Sequence, residues 1–354
     1  MPYPLGTVPS QRYRLEQWAP ELGRHGVQVS FCPFADPALM GLLYRPGRVL
    51  AKTKLVLAGF ARRVASLRRV REYDAVVIHR TLNLVGPATL ERVLARLGRP
   101  IVFDFDDAIF LLDTADANRA LGWLKFPQKT DAICRLSTHV VVSNETLAAY
   151  ARRHSRRVSI VPSSVDTERY APVQKPHARD RFVVGWTGSA TSQAYLESFA
   201  PVLVRILAAA GPGAELHVHS DLRPRLPGVA FTWLEWSPDS EVDVWSRFDV
   251  GIMPVDDDPW ARGKSAMKAL LYMAMGIPAI CSPVGVAADL IRSRENGFLA
   301  STPEEWVAVV KELAGDPQLR ARIGTAGRAT VERLYSHTRS AALFADVMRE
   351  SVKR

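Results

Sequence analysis

The sequence is poor in cysteine and contains no long apolar run. Among its 354 residues only three are cysteines, Cys32, Cys134 and Cys281, and no two of them form a CxxC pair. This scarcity argues against a disulfide scaffold or a structural zinc site, and it favours a reducing cytoplasm. The longest apolar run, residues 270–281, is broken by a glycine and a proline and is shorter than the roughly 18 residues that a membrane-spanning helix needs. The first residues also lack the apolar segment of a signal peptide.

Acidic residues are in the minority, with 36 Asp+Glu against 46 Lys+Arg and a formal net charge of +10. A chain with this excess of positive charge can bind nucleic acid, an anionic membrane surface or a phosphorylated substrate. The chain carries no RNP, KH, zinc-finger or basic-zipper signature, and its basic residues are not interleaved with aromatic ones. We therefore expect no nucleic-acid partner.

One segment concentrates the positive charge. Between Arg45 and Arg71 there are nine basic residues and no acidic one. Apolar residues within it recur at helical spacing, namely Leu57, Phe60, Val64 and Leu67, and the other side carries Arg62, Arg63 and Arg69. The pattern predicts a helix over roughly 48–70 whose apolar stripe faces the core. The alternative is an interfacial helix that makes peripheral contact with anionic lipid.

Short apolar runs alternate with helical patterns along almost the whole chain. This order is typical of the α/β class with doubly wound parallel sheets. Strands are predicted at 27–31, 75–78, 101–105, 140–142 and 158–161, and again at 182–186, 215–219, 229–233, 250–253, 279–281 and 298–300. A proline-rich, charged segment at 171–181 separates the two series and is predicted to be a linker. We therefore expect two domains, at 1–172 and 173–335, followed by a helical tail at 336–354.

Ligands of open parallel sheets bind beyond the carboxyl ends of the strands, so a binding site is expected in the loops that follow the strands. In the second half, Gly188 and Ser189 follow a predicted strand and precede a helix. A glycine there lets a phosphate approach the backbone, and a helix N-terminus attracts its charge. The pattern is not GxGxxG, which speaks against a nicotinamide site, and such turns also use glycine for steric reasons alone.

A second loop of this half carries three cations, Arg262, Lys264 and Lys268, at the start of a predicted helix. Cations in this position can neutralise the charge that develops on a diphosphate leaving group. The letters GKS at 263–265 lack the preceding glycine of a Walker loop, so ATPase chemistry is not expected. The alternative is a surface loop in which these cations pair with the aspartates at 256–258.

In the first half, carboxylates follow one predicted strand, and His79 and Arg80 end the neighbouring strand. A carboxylate beyond a buried strand is costly to desolvate unless something uses it. Asp106 and Asp107 are therefore candidates for a general base, for hydrogen bonds to sugar hydroxyls or for metal binding. Asp104 and Asp106 form a DxD pair, which with two carboxylates alone is poor support for a metal site. His79 is a candidate catalytic residue because it ends a predicted strand, although a lone histidine more often has a structural role.

Several longer segments resemble the bacterial glycosyltransferases of family 4, which have the two-domain GT-B fold. The most specific is KSAMKALLYMAMGIPAICSP at 264–283, which is close to the family pattern KxxxKxLEYMAxGxPVVxSP. VVGWTGSATSQAYL at 183–196 is similar to IGWxGSxxTxxYL, and IVPSSVDTERYAP at 160–172 is similar to the family's crossover VIPNGVDxxxFxP. The resemblance extends over nearly the whole chain.

The resemblance implies transfer of a sugar from a nucleotide-sugar donor with retention at the anomeric carbon and without a metal or other cofactor. The acceptor would be a glycan or lipid-linked molecule in cytoplasmic assembly of a cell-surface glycan. The residues assigned to the donor are Gly188, Ser189, Arg262, Lys264, Lys268 and Gly285. The candidate catalytic set is Asp106, Asp107 and His79, and the acceptor side would include Arg80, Ser10 and Arg12. The tail at 336–354 is expected to cross back onto the N-terminal domain.

The sequence departs from the family pattern in three ways. Gly263 and Leu271 replace two glutamates that relatives carry eight positions apart. The Arg and Lys that many relatives place after the first C-terminal strand are absent, so Arg262 and Lys264 are the expected substitutes. Relatives also begin with a strand that precedes the first residues here, so either Met1 is not the true start of the chain or the first strand of the N-terminal sheet is missing.

These departures leave other hypotheses open. Loss of both glutamates is also typical of a catalytically degenerate homologue that binds a glycan or a partner transferase. Another GT-B enzyme, a phosphorylase or a sugar-nucleotide epimerase, is a third hypothesis, although no lysine here is identifiable as a phosphorylase cofactor site.

Overall fold

The structure is a computed structural model that describes residues 1–43, 45, 47–111, 126–173 and 181–353. The chain forms two compact units, Met1–Ser163 together with His337–Arg354, and Ser164–Ser336. The corresponding borders predicted from the sequence lie after 172 and after 335. Most of the predicted linker lies outside the described residues.

The first unit contains a parallel sheet of four strands in the order β1-β2-β3-β4. Their bounds are Val76–His79 (β1), Ile101–Phe105 (β2), His139–Val142 (β3) and Val158–Ile160 (β4). β2 is buried along its whole length, as expected for a central strand covered on both faces. The register places His79 opposite Asp104, so the polar ends of β1 and β2 lie side by side.

Helices cover this sheet and supply much of its core. Their bounds are Pro9–Gln11 (α1, continued by a π-helical turn over Arg12–Glu16), Ala19–Arg24 (α2), Pro37–Leu43 (α3), Val49–Leu67 (α4), Thr89–Arg96 (α5), Lys129–Leu136 (α6), Glu145–Ala151 (α7) and His337–Val352 (α16). The Trp18 ring is fully buried and packs on Phe344 of α16, with ring centroids 5.5 Å apart. The last helix of the chain therefore belongs to the core of the first unit.

The strand predicted at 27–31 is wrong. These residues form no strand, and Val29 is 39% exposed. The residues that follow bond instead to the first residues of the chain, because the N–H groups of Phe34 and Ala35 donate to the carbonyls of Met1 and Pro2. An apolar run becomes a strand only where a neighbouring strand pairs with it, and periodicity alone does not supply that partner.

α4 is a helix, as predicted, but the predicted assignment of its faces is wrong at three positions. Leu57 and Val64, expected inside, are 63% and 49% exposed, whereas Arg63, expected outside, is 5% exposed. The buried guanidinium of Arg63 donates to three main-chain carbonyl oxygens at 3.0–3.1 Å. These acceptors offset the cost of removing the arginine from water, so charge alone did not decide which side faces inward.

The second unit contains a parallel sheet of six strands in the order β10-β9-β8-β5-β6-β7. Their bounds are Phe182–Gly188 (β5), Ala214–Ser220 (β6), Thr232–Glu235 (β7), Val250–Met253 (β8), Ala279–Cys281 (β9) and Phe298–Leu299 (β10). Because every pair is parallel, all carboxyl ends lie along one edge. All six strands predicted for this half are present.

Eight helices surround this sheet within the described residues. They are Ala190–Ser198 (α8), Ala200–Ala210 (α9), Glu241–Trp245 (α10), Pro259–Arg262 (α11), Met267–Ala274 (α12), Val286–Leu290 (α13), Pro303–Gly315 (α14) and Pro317–Leu334 (α15). The helical segment from 190 to 210 is divided into α8 and α9 at Phe199, because Pro201 starts a new helix. No helix in the described part of the chain has the length and apolarity to cross a membrane.

Candidate functional site

The strand order of the second sheet changes direction at β5. β6 and β7 extend the sheet on one side of β5, and β8, β9 and β10 extend it on the other. Connections that leave such a point run to opposite faces and open a crevice at the carboxyl edge. The loops that border this crevice are those that follow β5 and β8, which contain most of the residues predicted to bind a donor.

The end of β5 and the start of α8 are closely packed around Gly188, the last residue of the strand. A Cβ atom at Gly188 would lie 2.4 Å from the Trp186 ring and 2.6 Å from Ser192 Oγ, so no larger residue fits without rearrangement. Ser189 has extended backbone dihedrals, and its hydroxyl bonds to Thr191 Oγ1 at 3.0 Å instead of capping α8. The predicted pair therefore places the start of α8 at the crevice.

Asp221 is a residue at this edge that the sequence analysis missed. It directly follows β6, and its carboxylate accepts a hydrogen bond from the N–H of Ala190, the first residue of α8. Burial raises the pKa of this carboxyl, and the hydrogen bond from Ala190 opposes that rise. The rule that directs attention to loops after strands could have found it.

The loop after β8 is tied to its neighbours by specific contacts. Asp258 caps the short helix α11, with Ala261 N–H donating to its Oδ1 at 2.7 Å, and Tyr195 Oη donates to its Oδ2 at 2.8 Å. Gly285 adopts φ +54°, and a Cβ atom there would lie 2.8 Å from the carbonyl oxygen of Arg262. Gly285 thus allows the loop after β9 to approach α11 closely.

Two lysines lie over aromatic rings at this crevice. Lys268 Nζ is 4.7 Å from the centroid of Trp186, and Lys264 Nζ is 5.7 Å from the centroid of Tyr195. Burial, and then the neighbouring charge of Lys264, lower the pKa of Lys268 to about 7. Among the described residues neither ammonium has a hydrogen-bond or carboxylate partner, so both remain free for an anion.

Arg262 differs from the two lysines. Its guanidinium forms a two-point ion pair with Asp257, at 2.6 and 2.9 Å, and both side chains are exposed. The alternative interpretation of this loop, internal pairing of opposite charges, thus describes Arg262 but not Lys264 or Lys268.

Gly263 and Leu271, which stand where the resembled pattern has glutamates, are both buried. Gly263 follows α11, and Leu271 is 4% exposed within α12. The neighbouring Tyr272, which the sequence analysis did not single out, accepts a hydrogen bond on its hydroxyl from the N–H of Thr187 at 2.9 Å. This contact joins α12 to the end of β5.

The first unit gathers a second set of predicted residues at the ends of β1 and β2. Arg80 has a left-handed backbone (φ +58°), and its guanidinium donates to Asp106 Oδ1 at 2.8 and 3.0 Å and to Asp107. Despite its own burial, the two carboxylates raise the pKa of Arg80. Ser143 Oγ donates to the carbonyl oxygen of Asp106 at 3.2 Å. Arg80 and Asp107 keep about a fifth of their side-chain surface exposed, so they are the accessible members.

Behind this set lies a fully buried group of three charged or titratable residues. His79 Nδ1 is 2.7 Å from Asp104 Oδ2, and Arg14 Nε donates to both carboxylate oxygens at 3.0 Å. Burial tends to raise the pKa of Asp104, but Arg14 and His79 outweigh it and hold the value at about 2. His79 Nε2 is buried without a partner among the described residues. His79 therefore contacts Asp104 rather than the surface.

Ser10 and Arg12 lie in the N-terminal helical segment of the first unit. Ser10 belongs to α1 and Arg12 to the π-helical turn, where its guanidinium is 5.1 Å from the Tyr13 ring centroid. Across the described residues, no group of three or more His, Cys, Asp or Glu side chains could hold a metal ion.

Residues 181–316 match the family described as "Glycosyl transferases group 1". No curated protein matches the chain. Sucrose-phosphate synthase from Thermosynechococcus elongatus superposes with a TM-score of 0.64 at 16% identity, covering 83% of this chain and 77% of that one. HepE from Anabaena, solved with UDP and glucose, gives a TM-score of 0.61 at 14% identity, with 90% of each chain covered.

TarM from S. aureus, solved with Fondaparinux, alpha-GlcNAc-glycerol and UDP, gives a TM-score of 0.57 at 9% identity and covers 81% of this chain and 59% of that one. The group 1 match lies in the second unit, which contains the lysines and the Gly188 turn. The group 1 match supports a transferase enzyme. The protein has the GT-B glycosyltransferase fold, as predicted, with two Rossmann-like units.

Proposed function

We propose that this protein is a retaining, metal-independent glycosyltransferase that moves a sugar from a nucleotide-sugar donor to a glycan or lipid-linked acceptor. The observation that carries the proposal is the pair of unpartnered lysines, Lys264 and Lys268, beside the Gly188 turn at the switch point of the second sheet. The function belongs to cytoplasmic assembly of a cell-surface glycan.

The chemistry follows from the charges. Departure of a nucleoside diphosphate leaves negative charge on its β-phosphate, and two nearby ammonium groups lower the free energy of that transition state. The rings of Trp186 and Tyr195 exclude water from one side of the two ammonium groups. The electrostatic field of each ammonium is therefore stronger than it would be in bulk solvent. The N-terminus of α8 adds a partial positive charge at the same edge. No metal is needed for this role.

On the acceptor side, Arg80 holds Asp106 and Asp107 at the ends of β1 and β2. Asp107, the more exposed carboxylate, would accept hydrogen bonds from sugar hydroxyls, and Asp106, assigned to the transferred sugar by resemblance, is the buried member of the pair. His79 is buried and would act as a positioning residue through Asp104. Ser10 and Arg12 would extend the acceptor surface.

The comparisons support the kind of partner. HepE was solved with UDP-glucose, and TarM with UDP and glycan-related molecules. The competing hypothesis also remains, because Gly263 and Leu271 stand at the two positions where the resembled family pattern has glutamates. A degenerate homologue would bind a nucleotide or glycan without turnover, and a phosphorylase or epimerase would act on sugars without this transfer.

The lysine loop is tested by substitution. Lys264→Ala is expected to raise the donor KM about tenfold and to lower kcat by a similar factor, because it removes charge stabilisation at the leaving group. Arg262→Ala should change both constants less, since Asp257 already neutralises that guanidinium, and the double variant should resemble Lys264→Ala. Donor-dependent nucleotide release is the assay, after a thermal-shift panel of nucleoside diphosphates and their sugars has identified the donor.

Arg205→Ala is the matched control, because it removes an exposed ion pair with Glu304 in the same unit. Unchanged kinetics in Lys264→Ala would remove this loop from the mechanism. Nucleotide binding with no turnover of any nucleotide sugar would favour the degenerate homologue.

A further inference from the structure

The solvent-facing side of α4 is apolar. Leu50, Leu57 and Val64, here called the outer stripe, are 87%, 63% and 49% exposed. They are seven residues apart, so at 100° per residue they lie on one line along the helix and extend over about 21 Å. Val49, 61% exposed, adds to the same end. Single exposed apolar residues are common, but a row of them on one helix marks a binding surface.

The opposite side of α4 is fixed against the first unit, so the outer stripe cannot turn inward. A Cβ atom at Gly59 would lie 2.9 Å from the Phe34 ring, which shows how closely the helix packs there. Arg63 donates to the carbonyl oxygens of Cys32 and Leu82 at 3.1 Å, and to that of Met1 at 3.0 Å. Rotation of the helix would break these bonds and leave the guanidinium of Arg63 without its three carbonyl acceptors.

Cations surround the outer stripe, and no acidic residue occurs from 37 to 71. Lys54 and Arg68 project on the same side as the stripe by the helical angle, and both are exposed. Arg45, Arg48 and Arg71 are exposed at the ends of the segment. Within the part of the chain that the structure describes, Arg62 pairs with Asp36 and Arg69 with Glu72, two acids that flank the segment.

We propose that the outer stripe of α4 lies on an anionic lipid surface, with its leucines and valine among the acyl chains and its cations against the headgroups. The charge pattern selects this occupant. A second copy of the same face would set cations against cations, whereas an anionic bilayer matches both the apolar row and the positive border. The contact is peripheral, in keeping with the finding that no described helix could span a membrane.

The test is sedimentation of the full chain with vesicles. We expect binding to phosphatidylcholine vesicles that contain about a third phosphatidylglycerol, and at least about tenfold weaker binding for the double variant Leu50→Asp plus Leu57→Asp, which places charge in the acyl region. Val64→Asp should also weaken binding. Val204→Asp is its matched control, because Val204 is 43% exposed on α9 of the second unit.

A second arm separates the cations from the apolar row. Lys54→Ala and Arg68→Ala should each lower the affinity for the anionic vesicles about fivefold, and high salt should lower it by a similar factor. Vesicles of pure phosphatidylcholine should bind the wild type weakly. Thermal unfolding of each variant confirms that the exposed substitutions leave the fold intact.

Three results would overturn the proposal: no sedimentation of the wild type with anionic vesicles, equal loss for Val204→Asp, or a dimer in solution that Leu57→Asp dissociates without any lipid binding. The measurement does not depend on sugar transfer, so it stands or falls separately from the proposed function.

Discussion

Asp104→Asn is expected to lower the free energy of unfolding by about 3–5 kcal/mol, the range found when one partner of a buried ion pair is removed. The substitution keeps the shape of the side chain but leaves the guanidinium of Arg14 buried without a counter-charge. Arg14 would keep its bond to the carbonyl oxygen of Val161 at 2.7 Å, which cannot compensate a full charge. Urea denaturation at pH 7 measures the difference.

The matched control is Asp346→Asn in α16 of the same unit, where the carboxylate is 67% exposed and paired with Arg349. It should change the free energy of unfolding by less than about 0.5 kcal/mol. A loss below about 1 kcal/mol in Asp104→Asn would show that the buried pair is not stabilised as described.

The same carboxylate predicts a pH dependence. The pKa of Asp104 is about 2 in the folded protein against an ordinary 3.8, so its contribution is present above pH 4 and is lost as the pH falls through 2. The difference in stability between the wild type and Asp104→Asn should therefore shrink by about 1 kcal/mol between pH 7 and pH 3. Urea titrations at the two pH values test this, and a difference that grows on acidification would contradict it.

Lys268→Ala is expected to weaken binding of the nucleotide-sugar donor about 100-fold, because it removes a poorly solvated charge from the proposed diphosphate site. The wild-type affinity should itself fall about twentyfold from pH 6.5 to pH 8.5, since the pKa of Lys268 is about 7 and only the protonated form attracts the anion. Lys268→Arg stays charged throughout this range, so its affinity should be nearly independent of pH. Isothermal titration across pH provides the profiles.

Lys268 also predicts an effect on stability that does not require the donor. The pKa of Lys268 in the folded protein lies below the ordinary 10.5. Below pH 7 the ammonium is charged in both the folded and the unfolded state, and its burial then lowers the free energy of unfolding. The penalty is relieved as the pH rises from 7 toward 10.5, because the unfolded chain then holds the extra proton. Lys268→Met should therefore raise the stability at pH 6 by about 2 kcal/mol, a figure reduced for the partial exposure of the side chain. A less stable Lys268→Met variant would contradict the assigned burial penalty.

The elements predicted most accurately are those whose residues are apolar on both faces. β2 was predicted at its observed bounds, and all six strands of the second sheet were found, because central parallel strands read as short apolar runs between turns. The strand at 27–31 failed because the same kind of run had no partner. The faces of α4 were misassigned because the acceptors of Arg63 come from residues far along the chain, which no local pattern contains.

In the candidate site, the position of a residue along the chain indicated that it could be functional, but not whether its side chain is buried or paired. Gly188, Lys264 and Lys268 could be selected because they follow strands, whereas Asp221 follows one too and was overlooked. Arg262 is neutralised by Asp257, whereas Lys268 faces the ring of Trp186. The spacing could not predict this difference, because Arg262 and Lys268 are both cations that follow the same strand.

The order of residues alone determined that the protein is built from two α/β halves and where their chemistry would be found, because strand periodicity and turn residues are local properties. The tertiary structure decided which charges are buried, which are paired and which face water. His79 and Asp104 meet only because β1 and β2 lie in register, and the outer stripe is exposed only because Arg63 takes the inner side. Burial depends on neighbours that are distant in the chain, and those neighbours set the free energy of every charge.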